Sequence, residues 1–401
     1  MSVGADLRPL RESADFRRLW LTGGASALGS QVAVVAVLFQ MWELTGSSAW
    51  VGAVGLAGGL ATGVAGLMGG TLADRVERRR LVVLTRLGAA AAAALLAGQA
   101  VLGLDAPVLL LALVAAQTGA AALGSAARRT FVPRLLGRER VGAGLALDHL
   151  AFQVAMFAGP ALGGILLAAW GAQGAFALDA VVTLGALYGV GRLPRMPPEP
   201  DGSPRSTRAG LRFVARNPVV RGALLSDLAQ TLLAMPHALF PAVNAERFGG
   251  DPRSLGLLVS AVAVGGMAAG LLSGPVARAT RPGRLSLAAA AVWGAALAGF
   301  GLVDGLLPTL AWLALAGAAD TVSVVPRGTL VQLATPDAYR GRATSVEYVV
   351  GAGGPGIGNA RAGFVAGLAR TELAAVTGGL ACVVAVGLVA AAHPALRRYR
   401  A

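Results

Sequence analysis

Every basic side chain in this protein apart from its few histidines is an arginine, and the arginines fall on alternate connections between apolar runs. The sequence holds 34 Arg and no Lys. Dividing it at each break in its long apolar runs puts 29 of them on every second connection and 3 on the intervening ones; the remaining 2, Arg86 and Arg361, lie inside runs. From the N-terminus onward the rich segments carry 4, 4, 5, 7, 3, 3 and 3. A soluble domain has no reason to sort charge with this period. A chain threaded repeatedly through a bilayer does, because basic loops are retained on the cytoplasmic side.

Composition agrees with that reading. The 401 residues are 55% hydrophobic and 13% charged, an apolar share above that of ordinary soluble domains. Twelve apolar spans fit, at roughly 19–43, 49–72, 81–103, 107–127, 141–169, 174–193, 219–243, 254–277, 285–303, 306–327, 341–368 and 372–393. Each is long enough to cross about 30 Å of hydrocarbon. Both termini then lie in the cytoplasm, and the expected location is the cytoplasmic membrane. A net charge of +14 would suggest nucleic acid in a soluble protein. Here the basic clusters face one leaflet and read as topology and attraction to anionic lipid, with no nucleic-acid partner. The single Cys382 lies in an apolar run, which excludes an intramolecular disulfide and a cysteine-based metal site. We expect no metal and no cofactor. The sequence has no phosphate-cradling Gly-Lys-Ser/Thr loop, and Gly351-Ala352-Gly353 lies in a membrane span with no strand before it. An enzyme is therefore not expected. Met1 to Arg18 is polar and basic, and the first apolar run is too long and glycine-rich for a cleavable signal.

The longest connection, 194–218, contains Pro194, Pro197, Pro198, Pro200 and Pro204 and reads as a linker between six-helix bundles at 1–193 and 219–401. The halves resemble each other. Gly66-Leu67-Met68-Gly69-Gly70 with Leu81 aligns, 204 residues on, with Gly270-Leu271-Leu272-Ser273-Gly274 and Leu285. Thr130, Val132, Gly142, Asp148 and Gly159 align, 199 residues on, with Thr329, Val331, Gly341, Glu347 and Gly358. Two parallel six-helix repeats are a transporter architecture with its site between the halves near mid-membrane. Glycines four apart recur on the second and fifth spans of each half, as Gly55, Gly59 and Gly63, or Gly159 and Gly163. Such spacing lets backbones approach closely, and it marks these spans as seams along which the halves would rock.

The connection Gly70-Thr71-Leu72-Ala73-Asp74-Arg75-Val76-Glu77-Arg78-Arg79-Arg80 resembles the loop signature of the major facilitator superfamily, with Glu77 where a glycine is usual. Three other stretches are similar to its branch of macrolide-efflux and enterobactin-export proteins: Asp15 to Trp20, Ala127 to Arg140, and Gly159-Pro160-Ala161-Leu162-Gly163-Gly164. The resemblance implies an all-α membrane fold of twelve helices in two pseudo-repeats. It also implies that Asp74, with Arg75, sits near the start of the eleventh span and closes the cytoplasmic side, where a positive helix end favours an anion. Gly70, Gly159, Pro160 and Gly163 join them as gating candidates. Arg278 stands where the second half would carry the matching Asp, so the gate is asymmetric. The fourth span has no embedded arginine between Ala112 and Ala127, so the proton relay of many drug exporters is not implied.

Charged side chains at helix centres cost about 2.5–3.5 kcal/mol each on insertion scales, so each needs a reason. The central polar residues are Gln31, Gln117, Asp227, Gln230, His237 and Asp320, on spans 1, 4, 7 and 10. The resemblance implies that these spans line the cavity. Asp227, Gln230, Ala234, His237 and Pro241 share one face of a continuous helix, expected to look into water. Gln117 and Asp320 are repeat equivalents, 203 residues apart, expected to face each other. Gln31, Gln117, Gln230, His237 and Phe39 are the candidate substrate contacts. Asp320 is the first candidate proton carrier and Asp227 the second, since a carboxyl group in a partly dry cavity exchanges protons in the working range. The alternatives are an ion pair of Asp320 with Arg327 or Arg361, and a capping or snorkelling Asp227. Asp148 and Glu347 are expected to pair with loop arginines. Arg361 either attracts an anionic substrate or snorkels outward, and Asp179, with Asp304, Glu43, Glu246 and Glu372, reads as interfacial.

The function these residues point to is proton-coupled export of small apolar or amphipathic molecules (drugs, secondary metabolites or siderophores) by a monomeric secondary transporter using alternating access. Uptake or facilitated diffusion of a polar nutrient is one alternative. A non-transporting membrane sensor or assembly partner on the same fold is another.

Overall fold

Long runs of Ala, Leu and Gly have one stable open-ended form in hydrocarbon, the helix, because it satisfies its own N–H and C=O groups. The structure, a computed structural model, describes residues 6–197, 207–271, 274, 276 and 279–400, with the side chains of 207–211, 337–338 and 340–345 excepted. Among the described residues there are helices and no strand. The long ones are α1 (Ala14–Thr45), α2 (Ser48–Ala73), α3 (Arg78–Val101) and α4 (Pro107–Arg129), followed by the run Val141–Gly191. That run is interrupted at Gly171, whose φ of 68° is left-handed, which separates α5 (141–170) from α6 (172–191). Then come α7 (Pro218–Leu233), α8 (Phe240–Phe248), α9 (Pro252–Leu271), α10 (Pro282–Leu302), α11 (Leu306–Leu333), α12 (Asp337–Leu368) and α13 (Thr371–Ala392).

Each of the twelve expected spans falls mainly on helix where its residues are described, the seventh with a break at 234–236. Nine helices among the described residues are long and apolar enough to cross a membrane, counting the run that holds α5 and α6 once. Large apolar side chains such as Leu102, Leu271 and Leu307 stand 73%, 84% and 79% exposed, as suits contact with lipid tails. The chain is a multi-pass helical membrane protein. The expected linker at 194–218 lies partly outside the described residues, as does Arg278.

Two compact units divide the chain. The first is Met1–Leu44 with Leu60–Gly202, and the second is Thr45–Gly59 with Ser203–Ala401. Residues 48–59 of α2 thus belong with the second unit and the remainder with the first.

In the first unit α1 crosses α5 where α5 has no side chains. A Cβ on Gly163 would lie 3.0 Å from the Val32 carbonyl oxygen, and one on Gly159 3.2 Å from that of Leu28. The sequence spacing suggested a moving seam between halves for Gly159 and Gly163. The close contacts these glycines make are instead with α1 of their own unit. At the level of the α2–α3 connection, Leu19, Leu81, Val82, Ala127, Phe131 and Leu193 form a buried apolar cluster.

In the second unit, residues 48–59 of α2 lie on α12. A Cβ on Gly52 would come 3.0 Å from Ala360 Cα, and one on Gly59 the same distance from Gly356 Cα. Gly265 of α9 and Gly317 of α11 face each other's helices so closely that a Cβ on either would overlap backbone, at Ala314 and Val262 respectively.

The seventh span departs from expectation, because it is not one helix. α7 ends at Leu233, Ala234 leaves helical geometry at φ −134°, ψ 54°, and a 3-10 turn at His237–Leu239 leads into α8. Pro236 explains the break: it has no N–H to offer, and it disfavours helical geometry at Met235. The freed polar groups are answered from neighbouring helices. Arg361 of α12 donates to the Leu233 carbonyl, Trp293 Nε1 of α10 donates to that of Ala234 at 3.0 Å, and Asn359 Oδ1 accepts from the Ala238 N–H at 3.0 Å.

Candidate functional site

Each unit carries a polar cluster among its apolar helices. In the first, Asp179 sits about two turns into α6 and is fully buried. Gln117 Nε2 of α4 donates to its Oδ2 at 2.5 Å, and Ser30 Oγ of α1 and Thr183 Oγ1 of α6 donate to Oδ1 at 3.3 Å each. Thr183 Oγ1 is 3.3 Å from Ser26 Oγ, which accepts from Arg86 Nη1 of α3 at 2.6 Å. Two hydroxyls therefore stand between the guanidinium and the carboxylate. The interfacial position expected for Asp179 is corrected here, because α6 begins directly after Gly171 and carries the residue inward. Gln117, expected to face Asp320, spends its amide N–H on Asp179.

Gln31 lies over Gly159 with its Nε2 2.8 Å from Met156 Sδ, and Phe39 is half-buried further along α1. Below Gln31 an apolar cavity of about 320 Å³ opens between α1 and α5, walled by Trp20, Leu21, Gly24, Leu28, Leu150 and Val154.

In the second unit, Asp227 of α7 and Arg327 of α11 form a salt bridge of 2.9 Å, their side chains 6% and 7% exposed. The apolar run of the tenth span ends at this arginine, so the sequence reading counted it as a loop residue. α11 continues to Leu333, and Arg327 is a buried helix residue. Beside the pair, Gln230 Nε2 donates to Ser323 Oγ at 3.2 Å, and Ser286 Oγ donates to the Ser323 carbonyl at 3.0 Å. Ser226 Oγ, Asp227 Oδ2, Gln230 Oε1, and Nε and Nη1 of Arg327 are buried without a hydrogen-bond partner among the described residues.

Asp320 is half-buried two turns before Arg327, with no hydrogen bond or ion pair among the described residues. The charges it feels are those of Arg327 and Asp227, and Glu347 of α12 feels the same two. Arg327 is thus the ion-pair partner of Asp227 rather than of Asp320. His237 stands in the 3-10 turn with its ring 5.2 Å from that of Phe240. The single wet face expected on the seventh span is therefore not present: Asp227, Gln230, Ala234 and Pro241 are buried, and the break separates the first two from His237. Arg361 caps the broken helix end, a role outside both alternatives read from sequence.

Residues 4–400 match a family model described as transmembrane secretion effector. The chain belongs to that family. It is 30% identical to the enterobactin exporter EntS of Citrobacter koseri over 98% of this chain and 95% of the relative, and equally so to that of Escherichia coli O1:K1. Solved transporters share the fold at low identity. A bacterial homologue of the human lysosomal transporter Spinster has a TM-score of 0.74 at 15% identity, covering 98% of this chain and 100% of that one. A D-xylose–proton symporter has a TM-score of 0.73 at 14% identity, covering 93% of this chain and 96% of that one. These matches place the chain among the major facilitator transporters, with a small-molecule substrate and the bilayer as its surroundings.

At the family's α2–α3 connection, Asp74 is half-buried and Arg75 exposed, with the Arg75 N–H on the Leu72 carbonyl at 3.1 Å. A Cβ on Gly70 would meet nothing within 4 Å. The start of α12, where the resemblance puts the partner of Asp74, lies largely outside the described side chains. Glu77, the departure from the usual glycine, caps α3. It accepts from the N–H groups of Arg79 at 3.1 Å and Arg80 at 2.7 Å, and from Met196 N–H at 2.8 Å. Burial alone would raise its pKa, but these three donors and the Arg79 charge hold the carboxyl below its ordinary 4.5. Arg78 N–H returns a bond to the Met196 carbonyl at 3.0 Å. Asp148, as expected, has Arg128 as its ion-pair partner, at 3.9 Å.

Sequence reasoning missed Asp179, Arg86 and Ser323. A signal was available for the first two. Arg86 is an embedded cation needing an answer, and Ser26 with Ser30, like Asp179 with Thr183, are polar pairs spaced i, i+4 on apolar helices.

Proposed function

We propose that this protein is a secondary transporter that exports a small, largely apolar organic molecule in exchange for protons, by alternating access. Its similarity to enterobactin exporters supports the direction, and the apolar cavity between α1 and α5 supports the cargo chemistry. In this reading Gln31, Gln230 and His237, with Phe39, touch the cargo, Asp74 and Arg75 close the cytoplasmic side, both termini are cytoplasmic, and the monomer is the working unit.

One observation carries the coupling. In the second unit, Asp227 pairs directly with Arg327 at 2.9 Å, while Asp320, two turns earlier on α11, has no ion pair among the described residues. One cation balances one carboxylate, and further negative charge in a low dielectric is costly, so this cluster gains and loses protons as its access to water changes. Asp227 holds the salt bridge, which leaves Asp320 as the carboxyl free to exchange.

The test is uptake of enterobactin and of the dye ethidium into inside-out vesicles, with and without an acid-inside proton gradient. Wild type should accumulate at least one probe only with the gradient. Asp320→Asn should bind that probe and carry it downhill but lose about tenfold or more of the gradient-driven accumulation, within the usual span of coupling energies. Accumulation by wild type that ignores the gradient ends the antiport reading. Unchanged accumulation in the variant removes Asp320 from it.

A further inference from the structure

We propose that Asp179 is a second proton-binding site, in the first unit, and that Gln117 passes its protonation state to the cargo. The inference rests on the export reading above.

Asp179 is a membrane-embedded carboxyl group that is fully buried and has no direct ion pair among the described residues. Its donors are an amide and two hydroxyls, all neutral. The charges around it are few. α1 offers only Ser26 and Ser30, α3 offers Arg86 behind two hydroxyls, and α4 offers Gln117. Beyond Arg86 stands Arg128 of α4, itself 3.9 Å from Asp148 of α5. A carboxylate held by neutral donors can exist with or without its proton, because no partner is stranded when the charge disappears.

Gln117 gives the site an output. An ionised carboxylate only accepts hydrogen bonds, so the amide must turn Nε2 toward Asp179 and present Oε1 elsewhere. Oε1 has no partner among the described residues, and Gln117 is half-exposed. When a proton from water binds Oδ2, the carboxyl becomes a donor at that atom. The amide then rotates by half a turn, Oε1 accepts from Oδ2–H, and the NH2 group faces outward. Only hydrogen bonds are exchanged, and the proton later returns to water. Exposed Ser30, together with Gln117, supplies the route. Gln117 thus offers cargo an acceptor when Asp179 is ionised and a donor when it is protonated.

The test uses the full chain in lipid nanodiscs and two readouts. In infrared pH titration, wild type should show a protonated-carboxyl band that Asp179→Asn lacks and Gln117→Leu keeps. In ethidium and enterobactin transport, both variants should lose about tenfold of gradient-driven accumulation, and Asp179→Asn, which does not touch the cargo, should keep downhill flux. Asparagine is neutral and isosteric, and it can hold the rotated Gln117. If Asp179→Asn fails to fold, the Gln117→Leu pair of readouts decides. A titrating band identical in wild type and Asp179→Asn overturns the proton site. Full gradient-driven accumulation in Gln117→Leu overturns the transmission. If wild type itself ignores the gradient, the export-coupling proposal fails, while the infrared titration still decides Asp179.

Discussion

The two units place their embedded charges differently. The second joins Asp227 directly to Arg327 at 2.9 Å, both nearly out of reach of solvent. The first separates Asp179 from Arg86 with the hydroxyls of Ser26 and Thr183. A direct buried pair is strongly interdependent, since removing one partner leaves the other uncompensated. A pair joined through hydroxyls is less so, because each charge keeps neutral partners. Related halves have thus been fitted with one tightly bound charge pair and one loosely linked pair.

The largest test of this contrast is to remove each cation. Arg327→Leu should cost about 3–5 kcal/mol of stability. The double variant with Asp227→Leu should return close to wild type, because the stranded charge is gone. Arg86→Leu should cost about 1–3 kcal/mol, the range for a lost charged hydrogen bond. Unfolding midpoints of the purified protein in detergent measure all three. Equal costs for the two arginines would erase the distinction.

A smaller effect compares packing. Gly317→Ala places a methyl group against the Val262 backbone in the second unit, whereas Gly63→Ala in the first meets nothing within 4 Å. The first change should cost about 1–3 kcal/mol by overpacking. The second should be neutral or gain up to about 1 kcal/mol from helix propensity. The same detergent unfolding assay separates them, and a destabilising Gly63→Ala would show that this face is closed.

The smallest effect lies at the end of the first unit. Glu77→Ala should cost about 1 kcal/mol as a lost helix cap. The folded-state pKa of Glu77 is depressed, so its stabilisation is fully present above its ordinary 4.5 and fades as pH falls through the lower folded value. The stability gap between wild type and Glu77→Ala should therefore narrow as the pH is lowered from neutral through and below 4.5. A gap that widens on acidification would reverse the assigned sign.

The architecture was legible because bilayer insertion writes directly on sequence: long apolar runs, sorted arginines and a proline-rich connection between two similar halves. Pairing across helices was not, because it depends on rotation and depth. Arg327 looked like the end of a run because a charge interrupts hydropathy, although its partner lies on α7. Asp179 looked interfacial because it lies near the start of its span, and nothing in the sequence showed that Gln117, Ser30 and Thr183 would enclose it. The break in the seventh span was foreshadowed by Pro236, but the apolar run continued through it, and the residues that answer it, Trp293, Asn359 and Arg361, are more than fifty positions away. The glycines of α5 announced close approach without naming α1 as the neighbour.

The gap at Ala234 has a mechanical consequence. Its loose carbonyls are met by an indole and a guanidinium, whose reach adjusts through side-chain torsions rather than through fixed backbone geometry. The stretch beyond the gap can swing relative to α7 while those two atoms stay solvated by protein. A bend at this point avoids the exposure of bare peptide groups to lipid that would accompany a bend anywhere else along the same rod.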